Sequence, residues 1–332
     1  MEAVIFSIFN GVLYGMLLFM LSSGLTLIFS MMGILNFAHA AFFMLGAYFA
    51  YYVSNGLTGV IGPLIGGQVG QLIGFLVALL VAPILVGVVG GLVQRFGLRY
   101  VHRFGHVAEL LFTFGLFILI EELVQMFFGK VPKNYQVPEL LNFAAFTWRG
   151  LDYNFYRLFM LVISIGIFAW LFWLMTRTRV GLIIRAALTH PNMTAQLGHN
   201  VPRVFMWTFG AGCALAGVAG VIGGNVLGTE PGMAITLGPI VFVIIVIGGL
   251  GSLSGALIAS VFIGVLNDLS VSLDIKFRGL FESLGVDVDL AEGVMNDLVN
   301  LSTAKLAPVL PYLLLVLVLI FRPRGLFGQR DV

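Results

Sequence analysis

Long apolar runs separated by short polar connections restrict the folds that this sequence can adopt. Each run approaches the roughly 20 residues that an α-helix needs to cross the hydrocarbon core of a bilayer. Only 10% of the residues are charged, whereas soluble domains carry roughly 25%. One aqueous core cannot bury so much apolar surface, and the runs lack the strict alternation of a transmembrane β-barrel. The expected fold is therefore all-α, a polytopic bundle of transmembrane helices.

Nine apolar runs are predicted to span the membrane within a single transmembrane domain, residues 1–332. The two runs on either side of Gly248–Gly251 are also compatible with a broken or re-entrant pair, which leaves eight spans as the alternative count. The first run is too long for a signal peptide and lacks a basic region before it, so we expect it to remain as a helix. The predicted spans are residues 4–30, 34–53, 69–94, 107–128, 156–175, 204–224, 235–250, 252–268 and 306–321.

Arginine clusters predict how the bundle is oriented. Three clusters hold ten of the 17 Lys and Arg residues, and such segments usually stay in the cytoplasm. This placement puts the N-terminus outside and the C-terminus in the cytoplasm, which requires an odd number of crossings. The clusters are Arg95, Arg99 and Arg103; Arg177, Arg179, Arg185 and Arg203; and Arg322, Arg324 and Arg330.

The second cluster belongs to a cytoplasmic loop that we call the basic segment, residues 176–203. It contains no acidic residue. Pro191 is typical of a helix start and Gly198 of the position just beyond a helix end, so one short helix is predicted from Pro191 to Leu197.

Two further loops, 129–155 and 269–304, are expected on the outer side. The second is acidic, and apolar residues recur at helical spacing from Leu290 to Leu301. This pattern predicts a short amphipathic helix on the outer surface, which either packs on the bundle or offers a docking surface for an external partner.

Polar side chains within the apolar runs are candidates for the translocation path. Burying such groups without partners costs several kcal/mol, so each must find a hydrogen bond or line a wet cavity. Asn36 and His39, spaced i and i+3, are predicted to share one helix face. An interhelical hydrogen bond and a role in the path are the two interpretations. Glu230, in the helix-breaking Glu230-Pro231-Gly232, is a candidate for an outer gate. The path candidates are Asn36, His39, Thr113, Asn225 and Glu230.

Two stripes of small residues predict close helix packing. Small residues four positions apart let helix backbones approach in lipid. Packing within one subunit and a seam between subunits both fit the pattern. The stripes are Gly212, Ala216, Gly220 and Gly224, and Ser252, Ala256, Ser260 and Gly264.

Other functional classes lack their motifs in this sequence. A phosphate-binding loop requires GxxxxGK[ST], and the one Gly-Lys step, Gly129-Lys130, is followed by Val131. No nucleophile elbow and no Cys/His metal pattern occurs, so we expect no catalytic activity of its own, no cofactor and no metal. The net charge of +2 argues against a nucleic-acid partner.

Several ordered segments carry a resemblance to a known family. They include GLTLIFSMMGILNFAHAAFFMLGAY (24–48), HVAELLFTFGLFILIEELVQMFFG (106–129), RVGLIIRAALTHPNMTAQLGHNVPRVFMWTFGAGCALAGVAGVIGG (179–224), VIGGLGSLSGALIASVFIGVLND (246–268) and RPRGLFG (322–328). The chain resembles the permease subunits of branched-chain amino acid ABC transporters, the LivH/LivM family. The NFAH segment is more similar to the LivH half.

The resemblance implies an inner-membrane importer subunit that lies in the lipid bilayer and works with several partners. These are a second related permease, two cytoplasmic ATPase subunits and a periplasmic substrate-binding protein. Members of the family also carry urea, short amides and aromatic carboxylates, so the substrate stays open. The basic segment would then couple to the ATPase through Arg185, Thr189, His190, Pro191, Asn192, Thr194 and Gly198.

Two other classes remain as alternatives. A self-contained secondary carrier or channel for small polar solutes would need no ATPase, although acidic residues within the spans are scarce. An exporter permease would work without a binding protein.

Overall fold

The computed structural model describes residues 2–148, 151–276, 278 and 301–328, and helices make up most of this chain. Between Val93 and His106 the chain stays helical through Phe104: it forms a π-turn, Gln94–Leu98, and later a 3-10 turn, His102–Phe104. The helices are α1 (Glu2–Met32), α2 (His39–Ile65), α3 (Gly67–Val93), α4 (Arg99–Val101), α5 (His106–Phe128), α6 (Phe155–Arg177), α7 (Arg179–Thr189), α8 (Pro191–Gln196), α9 (Val201–Leu227), α10 (Met233–Gly248), α11 (Leu253–Leu273), α12 (Thr303–Leu306) and α13 (Leu310–Phe321).

Each predicted span coincides with one of these helices, as a helical membrane bundle requires. α2 and α5, with 27 and 23 residues, are long enough to cross a bilayer. α10 and α13 have only 16 and 12 residues, which at about 1.5 Å per residue is shorter than a hydrocarbon core of roughly 30 Å. Nine crossings therefore stay a prediction. Within the described residues, five stretches are both long and apolar enough to span: Val4–Met32, Gly67–Phe104, Phe155–Arg177, Val201–Leu227 and Leu253–Leu273.

The predicted helix face shared by Asn36 and His39 is wrong. α1 ends at Met32, and residues 33–38 form a non-helical connection to α2. Asn36 lies in this connection, where its side-chain oxygen accepts a hydrogen bond from the backbone nitrogen of Ala38 (3.1 Å). An asparagine that bonds its own backbone favours a turn over a helix, so α2 starts only at His39.

The loop 129–155 contains strands, which the all-helical prediction missed. β1 (Ala144–Trp148) pairs antiparallel with β2 (Leu151–Asn154). The ring of Phe146 stacks on that of Tyr153 across the hairpin, with 4.6 Å between the centroids. Aromatic cross-strand pairs of this kind stabilise short hairpins.

Glycines hold the centre of the bundle together. α1 packs against α9 and α11, while α2 packs against α3 and α9. A Cβ added at Gly220 of α9 would lie 2.8 Å from the backbone nitrogen of Ala47 in α2. A Cβ at Gly264 of α11 would lie 2.6 Å from Cα of Gly15 in α1. Both small-residue stripes therefore pack within this subunit, as one of the two interpretations predicted.

The predicted amphipathic helix of the acidic loop lies outside the described residues, apart from its last residue, Leu301. Residues 277 and 279–300 belong to the part of the chain that is not described.

Candidate functional site

The described parts of all three arginine clusters lie at one end of the bundle, which we call the basic end. Arg95, Arg99 and Arg203 line one cavity, which joins the end of α3 to the basic segment. Arg99 lines a second cavity together with Met32, the last residue of α1. The segment after Arg324 also reaches this end, as its hydrogen bonds to α10 show. This grouping is what a common cytoplasmic location of the clusters requires.

The C-terminal segment is held at the basic end by backbone hydrogen bonds. The nitrogens of Leu326 and Phe327 donate to the oxygens of Ile247 (2.8 Å) and Gly248 (3.0 Å) at the end of α10. Gly251 follows the end of α10 by three residues, and a Cβ added there would lie 3.2 Å from Cα of Ser30 in the last turns of α1. The last cluster arginine, residue 330, lies outside the described residues.

The basic segment folds into two consecutive helices, α7 and α8. Thr178 caps α7, since its hydroxyl accepts a hydrogen bond from the backbone nitrogen of Gly181 (3.2 Å). α8 starts at Pro191 as predicted and ends at Gln196, one residue before the predicted end. Gly198 follows with φ at +88°, a left-handed conformation that suits glycine.

Most of the predicted coupling residues are exposed, but one is not. Arg185, Thr189, His190, Pro191, Asn192 and Gly198 are all exposed at the surface. Thr194 is only 2% exposed, and its hydroxyl donates to the carbonyl oxygen of His190 (3.0 Å). Thr194 therefore holds α8 together from inside and is not available for contact in this conformation.

Two exposed apolar side chains at and just beyond α8 were missed. Met193 and Leu197 are 65% and 79% exposed. They are four residues apart, at and just beyond α8, which places both on the same side. Their i, i+4 spacing could have been noticed in the sequence. Together they form an apolar surface at α8.

The cavity between α3 and the basic segment has a volume of about 460 Å³. His199 and Asn200 line it beside Arg95, Arg99 and Arg203. The N-terminus of α9 follows at Val201, and helix N-termini carry partial positive charge. The cavity is therefore strongly electropositive.

The path candidates separate into two groups. Asn36, His39 and Thr113 surround the connection between α1 and α2. The hydroxyl of Thr113 lies 3.4 Å from the carbonyl oxygen of Leu35. Nε2 of His39 lies 2.9 Å from the carbonyl oxygen of Leu21 in α1. The interhelical bond that was one interpretation of His39 is therefore present.

Two nitrogen atoms in the first group have no hydrogen-bond partner among the described residues. These buried atoms are Nδ2 of Asn36 and Nδ1 of His39. Both side chains are almost fully buried, at 0% and 1% exposed. Buried polar atoms of this kind are costly, so they mark the connection as a place where a polar ligand or water would be stabilised.

Asn225 belongs to the second group, at the opposite end of the bundle. Its side-chain nitrogen donates to the hydroxyl of Tyr156 (3.0 Å), which donates to the carbonyl oxygen of Ile222 (2.9 Å). Tyr135 also contacts Asn225, and burial raises the pKa of the Tyr135 phenol well above its usual value. Neither tyrosine was identified as a partner of Asn225 from sequence patterns.

Glu230 is exposed and follows a short backbone pairing with the loop 129–155. The backbone nitrogen of Lys133 donates to the oxygen of Thr229 (2.8 Å). The chain therefore continues from α9 along the loop 129–155. Glu230 lies apart from the group formed by Asn36, His39 and Thr113.

Comparisons with known proteins identify the family. The family described as "Branched-chain amino acid transport system / permease component" matches residues 7–319. The high-affinity branched-chain amino acid transport system permease protein BraD of Pseudomonas aeruginosa is 26% identical over 332 residues, covering 97% of this chain and 95% of that protein. The corresponding LivH of Escherichia coli K12 is 26% identical over 335 residues, covering 98% and 95%.

A more distant relative comes from an archaeon. The probable branched-chain amino acid transport permease protein LivH of Methanocaldococcus jannaschii is 24% identical over 273 residues, 78% of this chain and 79% of that protein. No solved structure matches the chain. The family match covers nearly all of the helical bundle, and BraD and the Escherichia coli LivH match over 95% of their length. The chain is a LivH-like member of the family of branched-chain amino acid transport permease components.

Proposed function

We propose that this chain is the permease subunit of an ABC importer in the bacterial inner membrane. It moves branched-chain amino acids, or related small amino acids, amides or carboxylates, by alternating access. The relatives are named as permease proteins of high-affinity branched-chain amino acid transport systems, which supports the transport role. The observation that carries the coupling part of the proposal is α8 with its two exposed apolar side chains, Met193 and Leu197.

The basic segment is the contact with an ATPase in this proposal. Pro191 and Gly198 delimit α8, so a push on α8 is transmitted as the movement of a short rigid body. α7 lies directly before it and contacts α1 and α9. A displacement of α8 would therefore reach the two helices that pass through the centre of the bundle.

The further partners follow from the same proposal. A second related permease completes the translocation path, two cytoplasmic ATPases supply energy, and a periplasmic binding protein delivers substrate. The basic end faces the cytoplasm, the N-terminus lies outside, and the chain crosses the membrane nine times. Asn36, His39 and Thr113 line the path, and Asn225 and Glu230 lie near its outer mouth.

The coupling contact is tested by removing the apolar surface of α8. Met193→Ser and Leu197→Ser change exposed side chains, so α8 itself should persist. The test uses a complex reconstituted with its ATPases and binding protein. We expect the ratio of substrate taken up to ATP hydrolysed to fall at least tenfold. ATP hydrolysis and substrate uptake are measured in the same vesicles.

Val107→Ser is the matched control, because Val107 is 71% exposed near the basic end but lies outside the basic segment. A Met193→Ser, Leu197→Ser double variant with the wild-type ratio of uptake to hydrolysis would remove α8 from the coupling contact. Uptake by this chain alone, driven by an ion gradient, would favour a secondary carrier instead.

A further inference from the structure

A second polar cavity, of about 290 Å³, lies between α1, α6, α9 and α11. It is formed where α1 and α6 begin and where α9 and α11 end, which is the end opposite the arginine clusters. Small-molecule sites occupy roughly 300–1,000 Å³, so this cavity suits one small metabolite. None of the path or coupling candidates lines it. Its polar lining consists of Asn10, Tyr14, Arg157, Asn267 and Asp268.

Opposite charges face this cavity without forming an ion pair. Nη1 of Arg157 donates to the side-chain oxygen of Asn10 (2.8 Å). Asp268 lies within electrostatic reach of Arg157, but no ion pair joins the two among the described residues. A guanidinium has five N–H donors, so Arg157 keeps donors free after bonding Asn10. The carboxylate of Asp268 accepts no hydrogen bond from the described residues.

Two charges that are not paired with each other cost the protein free energy at such a site. Asp268 is partly buried in α11, one of the stretches apolar enough to span the membrane. Ionisable side chains in such helices are rare and usually serve a ligand or a partner charge. A ligand that carries both a negative and a positive group would satisfy Arg157 and Asp268 together.

An α-amino acid carries these two groups on one carbon atom. Its carboxylate matches the fork of N–H donors of Arg157, which favours bidentate bonds. Its ammonium group has three donors for the carboxylate of Asp268 and the neighbouring amide oxygens. Neutral amides and urea offer neither charge, and simple carboxylates offer only one.

The rest of the cavity wall is apolar. Leu13 and Leu17 of α1, Met160 of α6 and Val226 of α9 line it. Aliphatic side chains gain roughly 25 cal/mol for each Å² removed from water. A methionine adapts its shape to different aliphatic groups, so the wall suits an aliphatic side chain of variable form.

We propose that this cavity binds a zwitterionic aliphatic α-amino acid, with Arg157 holding the carboxylate and Asp268 the ammonium group. The inference rests on the proposed function, since it assigns a site to the substrate of the importer. It also narrows the substrate class to molecules that carry both charges.

The test is a ligand-observed NMR titration of the full chain in lipid nanodiscs with L-leucine. 4-Methylpentanoate lacks the ammonium group and 3-methylbutylamine lacks the carboxylate, while both keep the aliphatic part. We expect L-leucine to bind, and each analogue to bind at least about tenfold more weakly, as the loss of a charge-assisted contact implies. Titrations extend to about 10 mM, beyond the usual range of KM values.

Arg157→Gln and Asp268→Asn should each weaken L-leucine binding at least tenfold. Asp152→Asn is the matched control, because Asp152 is exposed on β2 and bonds only Thr147 of the same hairpin among the described residues. Protection of the buried thiol of Cys213 from modification shows that each variant is folded.

Three results would overturn the inference: no L-leucine binding by the wild-type chain, equal binding of L-leucine and 4-methylpentanoate, or folded variants that bind L-leucine as the wild type does. Because the titration needs no ATPase, these results leave the importer proposal standing. A reconstituted complex that shows no ATP-driven uptake would refute that proposal instead, whatever the titration shows.

Discussion

Replacing Gly264 by alanine tests a close helix contact in the bundle, the one between α1 and α11. The added Cβ would lie 2.5 Å from the backbone nitrogen of Gly15 and 2.6 Å from its Cα. Carbon atoms in contact are normally about 3.5–4.0 Å apart, so α11 must move by roughly 1 Å. Backbone atoms cannot rotate away as a side chain can. We therefore expect the free energy of unfolding to fall by an amount near the upper end of the range of roughly 1–3 kcal/mol that overpacked cores show.

Cys213 provides the assay. It is the only cysteine of the chain, and it is fully buried in α9. A fluorogenic maleimide that reacts with the thiol therefore reports unfolding during heating. At about 2 °C per kcal/mol for a large chain, Gly264→Ala should lower the apparent Tm by roughly 6 °C.

Gly166→Ala is the control, because a Cβ at Gly166 in α6 meets nothing within 4 Å. Alanine has the higher helix propensity, so this variant should unfold at the wild-type temperature or slightly above it. Equal Tm values for Gly264→Ala and Gly166→Ala, scanned at one rate, would refute the reasoning about the α1–α11 contact.

Two further predictions concern buried hydrogen bonds. His39→Leu leaves the carbonyl oxygen of Leu21 without its 2.9 Å partner, and should cost about 1–3 kcal/mol in the same thiol assay; a Tm equal to that of the wild type would argue against the bond. Tyr156→Phe removes the hydroxyl that joins Ile222 and Asn225. Hydrogen-exchange mass spectrometry should show faster exchange around these two residues and unchanged exchange in the basic segment, and uniform changes would contradict a local role.

The helical spans could be predicted from the sequence because lipid imposes length and apolarity on each span separately. α8 was predictable for a similar reason. Pro191 and Gly198 act on the backbone at their own positions, so no knowledge of neighbouring helices is needed. The family resemblance, now confirmed, also rested on short ordered segments that are visible in the sequence alone.

Positions that depend on neighbours were harder to predict. Asn36 was assigned to a helix because apolar residues surround it, but Gly33 adopts a φ of +66° and ends α1 before it. The burial of Thr194 depends on which side of α8 faces the bundle, which periodicity over six residues cannot decide. The rings of Phe146 and Tyr153 come into contact only when β1 and β2 pair.

The position of Arg157 and Asp268 at one cavity could not be predicted from local patterns for the same reason. Arg157 lies at the start of α6 and Asp268 near the end of α11, so only the packing of both helices on α1 brings them to one cavity. The functional interpretation arises from the two together.

The α1–α11 contact and the amino-acid cavity are parts of one arrangement. Gly264 lies one helical turn before Asp268, and Gly11, whose carbonyl oxygen faces Gly264, adjoins Asn10. The close approach of the two helices therefore fixes how far the carboxylate of Asp268 stands from Asn10 and its partner Arg157. A shift of roughly 1 Å is large compared with the tolerance of a binding site. Gly264→Ala should accordingly weaken L-leucine binding as well as thermal stability, and an unchanged affinity in the less stable variant would separate the helix contact from the site.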